Sequence, residues 1–154
     1  MPSYRSEQVF NYSIQVKASP ARVWQVLANA EQFDLQSADT REQVTSEQKQ
    51  GVGTQMRVER RVGPLKIVLK GRVVEWEEAH AMASEWSSGP PFAVATRVRM
   101  VLTPESGGTR LDREYRVQVQ LPLIGNAAAA FLTRNTPGEM RLLMERIKQA
   151  AERE

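Results

Sequence analysis

Apolar and polar residues alternate one by one near the start of the chain, from Val9 to Lys17. This period of two predicts a strand with one buried face. Ser19 and Pro20 follow as an N-cap and a first helical residue, and the apolar positions after them predict a short helix from Pro20 to Ala28.

Two aromatic side chains are expected to anchor this part of the chain in the core. Trp24 lies on the apolar face of the first helix. Phe33 is the central apolar residue of a second helical turn, which is predicted from Glu31 to Leu35. Both rings should be buried between the small helices and a sheet.

The period of two returns after these helices and continues to Leu121 without a convincing helical pattern. This order predicts an antiparallel meander rather than βαβ units. The predicted strands are Arg41–Gln48, Thr54–Val62, Leu65–Glu77, Ala81–Ser88, a strand containing Val94 to Leu102, and a strand containing Leu111 to Leu121.

Gly71 lies in the middle of the predicted strand Leu65–Glu77. Glycine inside a strand often marks a β-bulge. A bulge at Gly71 would turn Val74 and Trp76 towards the core. The pattern alone does not decide the register after Gly71.

The longest helical pattern lies at the C-terminus. Its apolar positions recur with the spacing of one buried helix face, at Met140, Leu143, Met144, Ile147 and Ala151. Pro137 disfavours a straight helix through this point, so a kink or a restart is expected. The segment Thr136-Pro137-Gly138-Glu139 resembles a capping box and favours a restart, after an alanine-rich piece from Ala127 to Arg134.

The 154 residues are enough for one domain, from residue 1 to residue 154. Since there is no cysteine, thiolate catalysis, disulfides and Cys-ligated metal sites are excluded. The single histidine, His80, falls in a polar turn where a catalytic base would be poorly held, so neither a catalytic residue nor a metal or cofactor is predicted. No signal-peptide core or long apolar run is present, and a cytoplasmic protein is expected.

The formal net charge is +3, and the basic residues are dispersed. Many fall on the polar face of the predicted strands, at Arg57, Arg61, Lys66, Lys70, Arg97, Arg99, Arg110 and Arg116. A solvated face with cross-strand ion pairs is the simplest interpretation, with transient docking on an anionic membrane as an alternative. Aromatic residues do not alternate with these bases, so no nucleic-acid partner is expected.

The segment from Tyr12 to Leu27, YSIQVKASPARVWQVL, resembles the opening signature of the START/SRPBCC superfamily. The final helix and three turns also resemble it, at Gly51-Val52-Gly53-Thr54, Val62-Gly63-Pro64-Leu65 and Gly107-Gly108-Thr109-Arg110-Leu111, especially as found in the branch related to a subunit of carbon-monoxide dehydrogenase. The resemblance implies an α+β helix-grip fold, in which a bent antiparallel sheet of about seven strands wraps a long C-terminal helix. It also implies a cavity between the two for an apolar or amphipathic small molecule. Pro137 in the gripping helix is a departure from the pattern.

Two arginines, Arg60 and Arg113, fall on the apolar register of their strands. A buried unpaired charge is costly, so each needs solvent, a carboxylate or a ligand oxygen. In the cavity that the resemblance implies, either one could hold an anionic or carbonyl group through bidentate hydrogen bonds. Tyr115, two residues after Arg113, could add a hydroxyl.

The candidate ligand-binding residues are the inward positions around that cavity: Met56, Arg60, Trp86, Thr96, Val98, Met100, Arg113, Tyr115, Phe131, Met140 and Met144. Filling of the core explains the methionines, although flexible thioethers would also suit an adaptable pocket.

The leading hypothesis for function is binding or carriage of a lipid, quinone or polyketide-like molecule. The alternatives are a cyclase or dehydratase-like enzyme, in which Arg113, Tyr115 or a buried carboxylate polarises a carbonyl, and an accessory factor that docks on another protein. The sequence does not name the ligand or the oligomeric state.

Overall fold

The computed structural model describes residues 5–29, 40–62, 64–88, 93–120, 133–134 and 136–153. These residues form an α+β helix-grip fold of seven strands and two helices. In chain order the elements are β1 (Arg5–Val16), α1 (Pro20–Ala28), β2 (Thr40–Val44), β3 (Gln55–Val62), β4 (Leu65–Glu77), β5 (Ala81–Ser87), β6 (Ala93–Glu105), β7 (Gly108–Gln120) and α2 (Thr136–Glu152).

All seven strands belong to one antiparallel sheet in the order β1-β7-β6-β5-β4-β3-β2. The predicted meander from β2 to β7 is therefore confirmed, with β1 added beside the last strand. Strand β2 is shorter than predicted and ends at Val44 instead of Gln48.

Helix α1 has the predicted bounds and the predicted cap. The Ser19 hydroxyl accepts a hydrogen bond from the Arg22 amide at 3.2 Å. Trp24 is only 6% exposed, and its ring meets that of Trp76 edge to face with 5.0 Å between centroids. The helical turn expected from Glu31 to Leu35, including Phe33, lies outside the described residues.

The core consists of two apolar clusters on the inner face of the sheet. The first lies under the helices, where Leu111 of β7 packs with Trp24, Met144 and Ile147. The second lies further along the sheet and includes Met56, Leu69, Trp86, Val117 and Val119. Trp76 packs against both clusters.

Helix α2 buries the predicted face, with Met140, Met144, Ile147 and Ala151 all enclosed. Pro137 is the second residue of this helix, where the missing amide hydrogen does no harm, so the predicted restart is observed here. Of the alanine-rich piece predicted before it, only Thr133 and Arg134 are described.

The predicted capping box at the start of α2 is wrong. Thr136 is itself the first helical residue, and its buried hydroxyl makes no hydrogen bond within the part of the chain that the structure describes. The Glu139 carboxylate forms an ion pair with Arg60 of β3 instead of turning back to the helix end. A charged partner from another element therefore replaces the local contact.

The predicted bulge at Gly71 is also wrong. Gly71 keeps regular pairing with Met56 and Trp86, and the register shifts only between Val73 and Glu75. As a result Val73, rather than Val74, is the buried valine. Glycine is required at position 71 because a Cβ atom there would lie 2.4 Å from the Trp86 indole.

The C-terminal end of α2 is fixed by the start of the chain. Arg22 of α1 donates to the carbonyl oxygens of Ala150 and Arg153, each at 3.2 Å. The Glu152 carboxylate accepts from the Lys17 amide and from the Lys148 ammonium, each at 2.8 Å. The two Arg22 hydrogen bonds satisfy carbonyls that a helix end leaves without partners.

Candidate functional site

Polar side chains from both halves of the sheet meet on its inner face. On β7 the alternation from Leu111 continues, as predicted, and turns Arg113 and Tyr115 inward. Arg113 lies opposite Met100 and Tyr12 in the register, and Tyr115 lies opposite Val98 and Phe10. Arg60 has the same orientation on β3, opposite Ile67.

The sheet must bend strongly to bring β3 and β7 together. Four strand spacings separate them, which would be about 19 Å in a flat sheet. Nevertheless Arg60 acts directly on the ionisation of Tyr115 and also pairs with Glu139 of α2. The sheet therefore curves around the start of the helix, and these three side chains lie in the space between.

Arg113 is the least satisfied polar group of this face. Its Nε atom is buried and has no hydrogen-bond partner among the described residues. Burial lowers the pKa of the Arg113 guanidinium, an effect opposed by the neighbouring Tyr115 and by the carboxylate of Glu42. The guanidinium carbon lies 6.0 Å from the Tyr115 ring centroid, so the two groups are neighbours.

Tyr115 is held in its neutral form. Burial raises the pKa of its phenol above the ordinary value, and the charge of Glu139 acts in the same direction. Arg60 and Arg113 oppose this rise without reversing it. A neutral phenol can donate a hydrogen bond at physiological pH, so Tyr115 and Arg113 together present two adjacent donors.

Both donors lie deep in the sheet. Burial dominates the ionisation of each side chain, yet each keeps part of its surface accessible. A cavity beside them, between the sheet and α2, stays a prediction.

Half-buried apolar side chains of the second cluster surround the same region: Phe10, Val44, Val58 and Val98. The Phe10 and Tyr115 rings pack at a tilt with 6.4 Å between their centroids. The inner face thus offers an apolar surface beside a small group of hydrogen-bond donors, the usual composition of a small-molecule site.

The predicted site residues divide into two groups. Arg60, Val98, Arg113 and Tyr115 are half-buried and have surface to offer a ligand. The larger group is buried within the core: Met56, Trp86, Thr96, Met100, Met140 and Met144. Phe131 lies outside the described residues. For every residue of the set, contact with a ligand stays a prediction.

Four residues of this region are not among those predicted from the sequence. Tyr12 and Phe10 lie directly beside Arg113 and Tyr115, and only the pairing of β1 with β7 reveals this. Glu139 was assigned to a helix cap. Glu42 comes from the opposite edge strand, and no local pattern connects it with Arg113.

The described part of the chain gives little support for a histidine-based catalytic site, a metal site or a membrane-spanning helix. His80 is exposed in the turn between β4 and β5. No three described Asp, Glu or His side chains come together as a set of metal ligands. Neither described helix is both long and apolar enough to cross a bilayer.

Solved structures share this architecture over nearly the whole chain. The Zhui aromatase/cyclase from a Streptomyces species is 14% identical, with a TM-score of 0.73, and the match covers 96% of this chain and 95% of that one. One half of the di-domain ARO/CYC BexL is similar at 15% identity and a TM-score of 0.73, covering 96% of this chain and 51% of that one. An uncharacterised protein from Rhizobium leguminosarum is 15% identical, with a TM-score of 0.70 and full coverage of both chains.

These likenesses support the fold alone, since all three identities are low. No curated protein matches the chain significantly. A family model described as polyketide cyclase / dehydrase and lipid transport matches residues 7–152. Because that match spans almost the entire sequence, the chain belongs to the polyketide cyclase/dehydrase and lipid transport family.

Proposed function

We propose that the protein binds and carries an amphipathic small molecule between the sheet and α2. The observation that carries this proposal is the Arg113 Nε atom, which is buried without a hydrogen-bond partner among the described residues. Leaving a buried donor unpaired costs about 1 to 3 kcal/mol, and more for a charged group. A ligand oxygen would supply the missing acceptor.

The ligand's polar end would lie against Arg113 and Tyr115. Arg60 does not compete for it, because its guanidinium is paired with Glu139. Two donors then remain. They are the Arg113 guanidinium, which has no carboxylate of the described residues within 4.0 Å, and the neutral Tyr115 phenol. Together they suit a carboxylate, an enolate or a polarised carbonyl.

The ligand's body would lie against the half-buried apolar residues of the second cluster, above all Phe10, Val58 and Val98. Covering such surface contributes about 25 cal/mol per Å² of apolar area. Lipids, quinones and polyketide-like compounds all combine an apolar body with an oxygen at one end. The geometry therefore favours this class over compact polar metabolites.

A cyclase or dehydratase-like activity is the second candidate. It is favoured by the aromatase/cyclase structures that share the fold and by the pair of donors, which could polarise a carbonyl. Such a reaction also needs a base within reach of the substrate. His80 is exposed, and Glu139 is engaged by Arg60, so Glu42 is the carboxylate near Arg113 that could serve.

The third candidate, an accessory factor that docks on another protein, has less support. The large apolar residues exposed in the described structure are Val9, Val52 and Leu142. They lie on three different elements: β1, the turn before β3 and α2. Protein docking sites are usually contiguous apolar surfaces.

Mass spectrometry of solvent extracts from the purified protein tests the proposal. We expect a bound apolar compound in amounts comparable to the protein, and none in extracts of an unrelated protein prepared in the same way. Conversion of an added polyketide-like compound with loss of water would favour the enzyme. An extract without ligand, together with no binding of lipids or quinones by the pure protein, would contradict both.

We also propose, from the sequence alone, kinship with the branch related to carbon-monoxide dehydrogenase, a cytoplasmic location and a single domain from residue 1 to residue 154.

A further inference from the structure

Pairs of cations lie directly opposite one another on the outer face of the sheet. The register places Arg57 opposite Lys70 and Arg61 opposite Lys66 on β3 and β4. It also places Arg97 opposite Arg116 on β6 and β7. Like charges at directly opposed positions destabilise a sheet, so folding alone does not favour this arrangement.

Among the residues that the structure describes, carboxylates pair with only one member of each pair. Glu59 contacts Arg57 at 2.6 Å and Lys66 at 3.5 Å. In the third pair Arg116 contacts Glu114 at 2.6 Å and has a longer contact with a second glutamate on β1. The other three cations are left to the solvent.

These three cations are Arg61, Lys70 and Arg97, and all are exposed. None has a carboxylate within 4.0 Å among the described residues, and the same is true of Arg72 on β4. Glu85 lies between Arg72 and Arg97 in the register but contacts neither within that distance. We call the three opposed pairs together with Arg72 the basic sheet face.

The shape of the basic sheet face limits its partners. It extends over five strands, from β3 to β7, or about 19 Å across. This is wider than the major groove of DNA, at about 12 Å, so the face cannot enter it. Its described residues include no aromatic ring on which unpaired bases could stack.

A specific protein partner is also disfavoured by the centre of the face. Ser87 and Ala95 continue the row of Lys70 across β5 and β6. Protein interfaces usually have a large apolar or aromatic anchor at their centre, and here the side chains at the centre are small. A broad arrangement of exposed cations on the convex side of the bent sheet instead matches a surface of closely spaced anions.

We propose that the basic sheet face docks on a membrane surface rich in anionic phospholipid. Each lysine or arginine near such a surface raises partitioning about fivefold. The attraction falls off within a Debye length of about 8 Å at physiological ionic strength, so docking is reversible and sensitive to salt. The proposal does not depend on the interior ligand.

Sedimentation with lipid vesicles tests the proposal. The full chain is mixed at low salt with vesicles of phosphatidylcholine alone or with added phosphatidylglycerol. The patch variant is R61Q/K70Q/R97Q, and the matched control is K49Q/R141Q/R153Q, which replaces exposed cations elsewhere. Each variant removes three charges from the formal net charge of +3.

We expect the natural chain and the control to sediment only with the phosphatidylglycerol vesicles, and added salt to release them. The patch variant should bind those vesicles about a hundredfold more weakly, because three cations are lost. Its unfolding midpoint in urea should stay the same or rise, since opposed like charges are removed. The proposal would be overturned if both variants lost vesicle binding equally or if the natural chain did not sediment with the vesicles. Binding of double-stranded DNA without binding of vesicles would also overturn it.

Discussion

Arg60 and Glu139 form an ion pair that joins the third strand to the first turn of the C-terminal helix. The two residues are 79 positions apart in the sequence. Their contact exists because the sheet bends around the helix and brings β3 towards its start. Within the described part of the chain, it leaves Arg113 as an inward-facing arginine with no carboxylate within 4.0 Å.

The strength of this contact can be measured with a double-mutant cycle of R60M, E139Q and the combined variant. Because Arg60 is 18% and Glu139 43% exposed, we expect a coupling free energy of about 0.5 to 1 kcal/mol in urea unfolding. The Arg141–Glu145 pair, which lies within α2 and is more exposed, serves as a comparison and should couple more weakly. A coupling of zero would show that the pair does not hold the sheet to the helix.

Replacement of Gly71 by alanine should destabilise the protein by about 1 to 3 kcal/mol, because the added methyl group would collide with the Trp86 ring. Gly138 in α2 is the matched control, since a Cβ atom there meets nothing within 4 Å. G138A should be neutral or stabilise by up to about 1 kcal/mol. Chemical unfolding measures the free energy of unfolding of both variants. Equal changes in the two variants would mean that Trp86 does not cover Gly71.

Glu152 should make the free energy of unfolding decrease at acidic pH. The pKa of its carboxyl is lowered, first by the hydrogen bond from Lys148 and then by the one from the Lys17 amide. A lowered pKa in the folded state means that this stabilisation is present above the ordinary value of 4.5 and is lost as the pH falls through the folded value.

The variant E152Q should therefore unfold about 1 kcal/mol more easily than the natural chain at neutral pH. The difference should shrink as the pH falls below 4.5, which urea unfolding across a pH series would measure. E145Q, which removes a carboxylate in contact with the exposed Arg141, is the control. A difference between the natural chain and E152Q that stays constant down to about pH 3 would contradict this assignment.

Much of the fold follows from local patterns in the sequence. The alternation of apolar residues predicted the strands of the meander, and Ser19 with Pro20 predicted the start of α1 at the correct residue. These signals are reliable because the buried face and the cap are decided by neighbours in the chain. The inward position of Arg113 followed in the same way from the alternation that begins at Leu111.

The features that sequence reasoning missed depend on contacts between distant elements. Glu139 has the right spacing for a capping box, yet Arg60 from β3 takes its carboxylate. Gly71 looks like a bulge, yet it is glycine because the Trp86 ring from the next strand lies over it. A single sequence contains no signal for either contact, since both require the strand register and the curvature of the sheet.

In the proposed function, the buried Arg113 Nε atom has no hydrogen-bond partner among the described residues because its partner is a ligand. The variant R113M removes the charge and keeps much of the length, and R110M makes the same change on the outer face of β7. Mass spectrometry of the folded variants measures the amount of bound compound per protein. This amount tests whether Arg113 binds the ligand. We expect ligand affinity to fall about tenfold or more in R113M and to be unchanged in R110M, while the free energy of unfolding without ligand stays the same or rises in R113M. Unchanged ligand occupancy in R113M would contradict the ligand role of Arg113, whatever happens to stability.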